Sequence, residues 1–86
     1  MTHRTHPSFW QHYRQLPKEI QEIANKNFSL LKSDARHASV RLKKVTDELW
    51  SARVGLHYRA LATDDVDGSL LWFWIGHHSE YDRMIS

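Results

Sequence analysis

The chain has 86 residues, with twelve Lys and Arg against ten Asp and Glu, seven His, four Trp and no Cys. That length makes one small domain with a thin core, so its stability is expected to be marginal or to lean on a partner. The lack of cysteine excludes a disulfide framework, thiolate chemistry and a cysteine-based zinc site, and no apolar run approaches the roughly 20 residues of a membrane span. The opening MTHRTHPSF lacks the apolar stretch of a signal peptide, so a cytoplasmic protein is expected.

The charge is unevenly spread. Residues 1–60 carry eleven of the Lys and Arg against five acids, while residues 61–86 carry only Arg83 against five. A basic body suits nucleic acid or an acidic peptide; a solvated charged surface is the plainer reading.

Residues 1–7 are polar and read as a flexible arm or a short edge strand, followed by a single domain over 8–86. Ser8-x-x-Gln11 has capping-box spacing and opens a first helix, in which Phe9, Tyr13 and Leu16 form one apolar stripe. Pro17 ends it and suits the first turn of a second helix, from about Lys18 to Lys32. Ile20, Ile23, Ala24, Asn27 and Leu31 share one face of that helix. Glu19 and Glu22 lie near its positive end and Lys32 near its negative end, as the helix dipole favours.

After a connection at Ser33–Ser39, Val40–Val45 reads as a half-buried strand, with Val40 and Leu42 pointing one way and Arg41 and Lys43 the other. Leu49–Val54 and Tyr58–Ala62 form a hairpin turning near Gly55–His57. If the turn is centred on Leu56, Arg53 and Arg59 are neighbours on one face, and like charges so placed destabilise a sheet unless something relieves them. A phosphate would, because the planar fork of arginine suits bidentate phosphate binding. Ser69–Gly76, after the Asp67-Gly68 turn, is nearly all apolar and reads as a central strand. In it Trp72 and Trp74 alternate with Phe73, which puts both tryptophans in one set. A polar tail then delivers His77, His78 and Tyr81. The expected fold class is α+β, an N-terminal helical hairpin packed on one face of a 3–4-stranded antiparallel sheet. Lys43, Arg53 and Arg59, with a tail histidine as a further candidate, would occupy the other face, while His57 reads as exposed and without a special role.

The segments LKKV (42–45), WSARVGLHYRALA (50–62) and LLWFWIGHHSEYDRMI (70–85) resemble the RelE/ParE superfamily of bacterial toxin–antitoxin toxins, and the helical stretch FWQHYRQLPKEIQEIANKNFSLLK matches its layout. The core R-V-G-x-x-Y-R-A-L, followed by a Trp-rich strand and I-G-x-H-x-x-Y, is the most specific part. RelE-like members cleave messenger RNA in the ribosomal decoding site, and ParE-like members poison DNA gyrase. The resemblance implies a cognate antitoxin as partner, in a toxin–antitoxin hetero-oligomer, and for the RelE-like reading a ribosome and messenger RNA. It also implies no membrane and no metal or other cofactor. Carried over by position, Lys43 or Lys44 is the basic residue of the strand after the helices, and Arg53 and Arg59 flank the hairpin. His77 or His78 stands where nuclease members place a basic or acid–base group, and Tyr81 matches a late tyrosine.

A metal-independent endoribonuclease needs a base for the ribose 2′-hydroxyl, an acid for the leaving oxygen and cations to offset charge on the phosphorane. Histidine suits both proton roles, since an unperturbed imidazole titrates at about 6.5. The expected catalytic set is therefore His77, His78, Tyr81 and Arg59, with Lys43, Lys44, Arg53 and Arg59 on the phosphates. The competing readings are a gyrase-inhibiting toxin and a decayed module that only binds its antitoxin. For single residues they are salt bridges from the arginines to Asp47 or Glu48, a surface histidine pair, and a core aromatic at Tyr81. No ligand-spacing motif joins His57, His77 and His78.

Overall fold

The apolar segment Leu70–His77 is the strand against which both ends of the chain pack. The structure, a computed structural model, describes residues 2–34 and 36–85; Met1, Ala35 and Ser86, which fall in the expected arm, connection and domain end, lie outside the described residues. In chain order the elements are β1 (His3–Thr5), α1 (Pro7–Tyr13), α2 (Lys18–Ser33), β2 (Lys43–Lys44), β3 (Leu49–Val54), β4 (Tyr58–Asp64), β5 (Leu70–His77) and α3 (His78–Ile85). The strands make one sheet in the order β1-β5-β4-β3-β2. β1 lies parallel to β5, and the other neighbours are antiparallel.

The class is α+β, as expected, but the sheet has five strands, not three or four. The fifth is β1, whose three residues are too few to show alternation. Arg4 ties it down by pairing with Asp67 (2.9 Å) in the β4–β5 turn. Hydrogen bonds from Ser69, with Arg4 adding, hold the Asp67 carboxyl below its usual range. The Val40–Val45 strand shrinks to β2 because Arg41 sits at φ 47, a left-handed backbone uncommon outside glycine. Val40 is buried all the same, and its carbonyl accepts the Arg53 N–H (2.6 Å).

α1 starts with Pro7, whose missing N–H is one a helix leaves unpaired anyway. The expected capping box does not form. The His6 Nδ1 accepts the Ser8 N–H (3.1 Å), and the Ser8 hydroxyl donates to the Phe73 carbonyl (2.8 Å). α2 lays Ala24, Asn27 and Leu31 toward the core and packs on β3, while Ile23 of the same stripe stays 37% exposed. The Asn27 amide donates to the Arg53 carbonyl (2.9 Å), so a buried polar group becomes a tether between helix and strand.

Phe73 is an extra residue in β5: Leu61 faces Trp74 and Ala62 faces Trp72 across the β4–β5 ladder. Such a bulge flips the side-chain alternation beyond it. Trp72 therefore joins Phe9, Leu31, Val54, Leu70 and Ile75 in the core beneath α1 and α2, while Trp74 packs with Leu61 and Tyr81 on the other side. The two tryptophans are not one set, contrary to the expectation from plain alternation. The polar tail is also more ordered than expected. It is α3, whose Tyr81 and Ile85, one turn apart, sit in the cluster of Leu61 and Trp74. Full burial of Leu61 contributes about 1.5–3 kcal/mol to holding this second cluster together. Among the described residues no helix is long and apolar enough to cross a membrane.

Candidate nucleic-acid interface

Arg53 and Arg59 are register partners across the β3–β4 hairpin, as the symmetry about Leu56 implied. The turn needs Gly55 at φ 64, where a side chain would be strained. Lys43 pairs with Ser51, two residues before Arg53, so strand alternation brings Lys43, Ser51, Arg53 and Arg59 to one face. The left-handed turn at Arg41 adds a fourth cation. Arg41, Lys43, Ser51, Arg53 and Arg59 line a hollow of about 190 Å³.

No carboxylate lines this hollow, and among the described residues none of its four cations is ion-paired to an Asp or Glu. The salt bridges to Asp47 or Glu48 that would have explained the arginines are thus not made. The Arg59 guanidinium donates instead to the carbonyls of Tyr58 (2.8 Å) and Leu56 (3.4 Å), which fixes its head near the hairpin turn. Four unneutralised cations around a serine hydroxyl are an arrangement that an anion stabilises and an empty hollow does not.

Tyr81 belongs to the same face. In the cross-strand row Lys43–Ser51–Leu61–Trp74, the first two residues floor the hollow and the last two carry Tyr81. Its ring is 7% exposed, so it is a core aromatic as well as a neighbour of the basic group.

Two other candidates fall elsewhere. Lys44 pairs with Trp50 on the helix side, where its ammonium meets Asp64 (3.5 Å) and lies over the Trp50 ring (5.8 Å). His77, beyond the bulge, pairs with Tyr58 on that same side, and its ring meets the Tyr58 ring edge-on at 5.4 Å. Its Nδ1 accepts the Ser79 N–H (3.2 Å), so it caps α3. His78 opens α3 half-exposed, with Nδ1 3.7 Å from Asp82 one turn on and its N–H donating to the His57 carbonyl (2.8 Å). His57 thus anchors the start of α3, a role its sequence position does not suggest. The rings of His57, His77 and His78 lie 4.4–6.2 Å apart, yet among the described residues no group of three or more His, Cys, Asp or Glu is placed to hold a metal ion.

Sequence reasoning left Arg41 and Ser51 out of the candidate set. Arg41 shared a side with Lys43 in the alternation, which was signal enough; Ser51 shared one with Arg53. A further titratable group, partly buried, lies against Trp72 from the edge strand β1. His3 stacks on Trp72, its Nδ1 accepts the Trp72 indole N–H (3.1 Å), and among the described residues its buried Nε2 has no hydrogen-bond partner. Burial, with the positive charge of Lys32 adding, pushes its pKa down from 6.5.

A two-layer α+β domain with a basic sheet face bordered by a C-terminal helix defines the class of this protein. The family model of the ParE-like toxin domain matches residues 18–83, and the chain belongs to that family, a branch of the RelE/ParE superfamily of toxins. Solved structures agree in fold. The RelB–RelE antitoxin–toxin complex from Methanococcus jannaschii matches with TM-score 0.71 at 12% identity, over 96% of this chain and 99% of that one. The toxin–antitoxin complex RelBE2 from Mycobacterium tuberculosis matches with TM-score 0.64 at 22% identity, over 88% and 95%. The isolated E. coli RelE toxin matches with TM-score 0.61 at 14% identity, over 99% and 98%. No curated protein sequence matches the chain significantly.

Proposed function

We propose that this toxin is a messenger RNA endonuclease that works on the ribosome and is silenced by a cognate antitoxin in a hetero-oligomer. One observation carries the reading: among the described residues, the hollow of Arg41, Lys43, Arg53 and Arg59 has no counter-charge of its own. A phosphodiester supplies that charge, and bidentate arginine binding orients it. Arg59, held by two carbonyls, is the group that offsets charge on the phosphorane. His78, with the Asp82 carboxylate 3.7 Å from its Nδ1, handles a proton. Tyr81 borders the phosphate from α3 and positions the adjoining nucleotide. Lys44 and His77 face the helix side and take no part in this scheme. Antitoxin complexes of similar fold support the partner, as do the thin core and the uncovered basic face.

Primer extension on a message translated in a reconstituted cell-free system tests this. Position-specific new 5′ ends that require both ribosomes and the protein are expected. Intact message overturns the nuclease reading, and a supercoiling assay then asks whether the protein inhibits gyrase.

A further inference from the structure

The basic hollow carries more charge than one phosphodiester offsets. A diester brings a single negative charge, against the cations of Arg41, Lys43, Arg53 and Arg59. Nor do these cations gather on one point. Lys43 and Ser51 form one cross-strand pair, and Arg53 and Arg59 form the next on the same face. Arg41 joins the second pair, because the neighbouring Val40 carbonyl accepts the Arg53 N–H (2.6 Å). From Ser51 to Arg53 is two residues, or about 6.5 Å of strand. The Arg59 head stands further off still, since its guanidinium is bonded to the carbonyls of Leu56 and Tyr58 toward the hairpin tip.

Ser51 marks the other end. It lines the hollow and is only 2% exposed, and among the described residues its hydroxyl has no hydrogen-bond partner. A buried hydroxyl left unpaired is costly, and an anion oxygen lying over it accepts its proton. The hollow thus has an arginine end and a Lys43–Ser51 end, and one phosphate does not serve both.

We infer that the hollow is a two-phosphate site that takes a nucleoside 3′,5′-bisphosphate as a free ligand, one phosphate on the three arginines and the other on Lys43 and the Ser51 hydroxyl. The phosphates of such a molecule stand on opposite sides of one ribose, which gives a separation comparable to that of the two ends. In a diphosphate they share an oxygen and lie too close together. Successive phosphates of an RNA strand have the right spacing but are diesters with one charge each. A terminal phosphate carries about −1.5 to −2 near neutral pH, so the bisphosphate brings about three to four charges, close to what the hollow offers. The inference rests on the proposed function in reading the hollow as an anion site. It adds a ligand that occupies the site without a ribosome and competes there with the message.

Isothermal titration of the purified protein tests this with adenosine 3′,5′-bisphosphate, adenosine 5′-diphosphate, adenosine 5′-monophosphate and the trinucleotide ApApA, whose internal phosphates are diesters. The bisphosphate is expected to bind about tenfold or more tighter than each of the others, because its second contact is intramolecular. Ser51→Ala and Lys43→Gln should shrink its advantage over the monophosphate to about twofold or less. The first removes a hydroxyl that bonds to nothing and the second changes an exposed side chain, so both variants keep the fold. A diphosphate that binds as tightly as the bisphosphate overturns the inference, since charge without spacing then suffices. So do variants that weaken bisphosphate and monophosphate by the same factor, and so does tighter binding of ApApA, which assigns both positions to a strand. Message cleavage by a protein with no preference for the bisphosphate sinks this inference alone. A clear preference with the message left intact sinks the nuclease reading and leaves the two-phosphate site standing.

Discussion

Arg53 and Arg59 are direct cross-strand partners on an open sheet face, and among the described residues neither has a carboxylate to neutralise it. Like charges so placed work against the sheet by about 0.2–1 kcal/mol, a burden that an anion bound between them would relieve. Arg53→Gln keeps part of the aliphatic stem and removes one charge. It is expected to leave thermal stability equal or raised by that amount, while message cleavage falls. Differential scanning fluorimetry with a parallel cleavage assay reads both. A variant that loses stability and keeps activity would mean that the pair is structural.

Removing the charge fixed at the turn should be more damaging to chemistry. Arg59→Ala is expected to lower cleavage by about 10²–10³-fold, the usual cost of losing one donor to a charged transition state. Inorganic phosphate or a short oligoribonucleotide should stabilise the wild type, with an effect that weakens as salt is raised. Isothermal titration at two salt concentrations measures this; salt-independent binding would argue against the hollow as the anion site.

The hairpin with its arginines, α2 and the apolar β5 were legible because each follows a local period: two for strands, 3.6 for the helix. What escaped the sequence is what local periods do not carry. The pairing of β1 with β5 joins residues nearly 70 positions apart and rests on three residues. Arg41 breaks its strand through a backbone angle, yet remains beside Lys43 in the hollow. The bulge at Phe73 reverses the face of everything after it, which sends Ile75 and His77 to the helix side and Trp74 to the basic face. That His77 faces the helix side was decided there, not at the HisHis pair itself. α3 is short and capped by a histidine, so its helix signal was reduced to the Tyr81–Ile85 spacing.

Gly76 lies under Trp74. A Cβ there would stand 2.5 Å from Trp74 Cζ2, and Trp74 is buried, so its indole has little room to yield. Gly76→Ala should cost about 1–3 kcal/mol through overpacking. Urea unfolding measures it, and a neutral result would show that the second cluster is plastic.

Tyr81 separates two roles by size. Tyr81→Ala empties the cluster with Leu61 and Trp74 and is expected to cost about 3–5 kcal/mol, unfolding a marginal domain. Tyr81→Phe keeps the ring and removes only the hydroxyl. If the ring positions a nucleotide, Tyr81→Phe cleaves near the wild-type rate; if the phenol moves a proton, the rate falls at unchanged stability.

His3 should make the fold sensitive to mild acid. Its pKa is lowered by burial, so the unfolded chain takes up a proton at this site more readily than the native one. The stabilisation is present in full above about 6.5 and is lost as pH falls from there through the lowered native value. A protonated Nδ1 can no longer accept the Trp72 indole N–H, which loosens the bond between β1 and β5. Imidazole titration by NMR should place His3 below an ordinary histidine, and thermal stability should decline as pH drops below about 6.5. An ordinary value for His3 would rule this out.

His77 and His78 stand side by side but are held by different contacts. The His77 Nδ1 accepts the Ser79 N–H, which puts its ring proton on Nε2 and commits the ring to capping α3. An asparagine side-chain oxygen can accept the same bond, so His77→Asn should keep both fold and cleavage. His77→Ala loses the cap and should cost about 0.5–2 kcal/mol, again with cleavage retained below the melting transition. His78→Gln leaves the backbone bond to the His57 carbonyl in place and removes only the imidazole, so stability should hold while cleavage falls and its pH dependence flattens. The pH–rate profiles of the three variants decide the matter. A flattened profile in His77→Asn would move the proton-handling role to His77, and to a site on the helix side of the sheet.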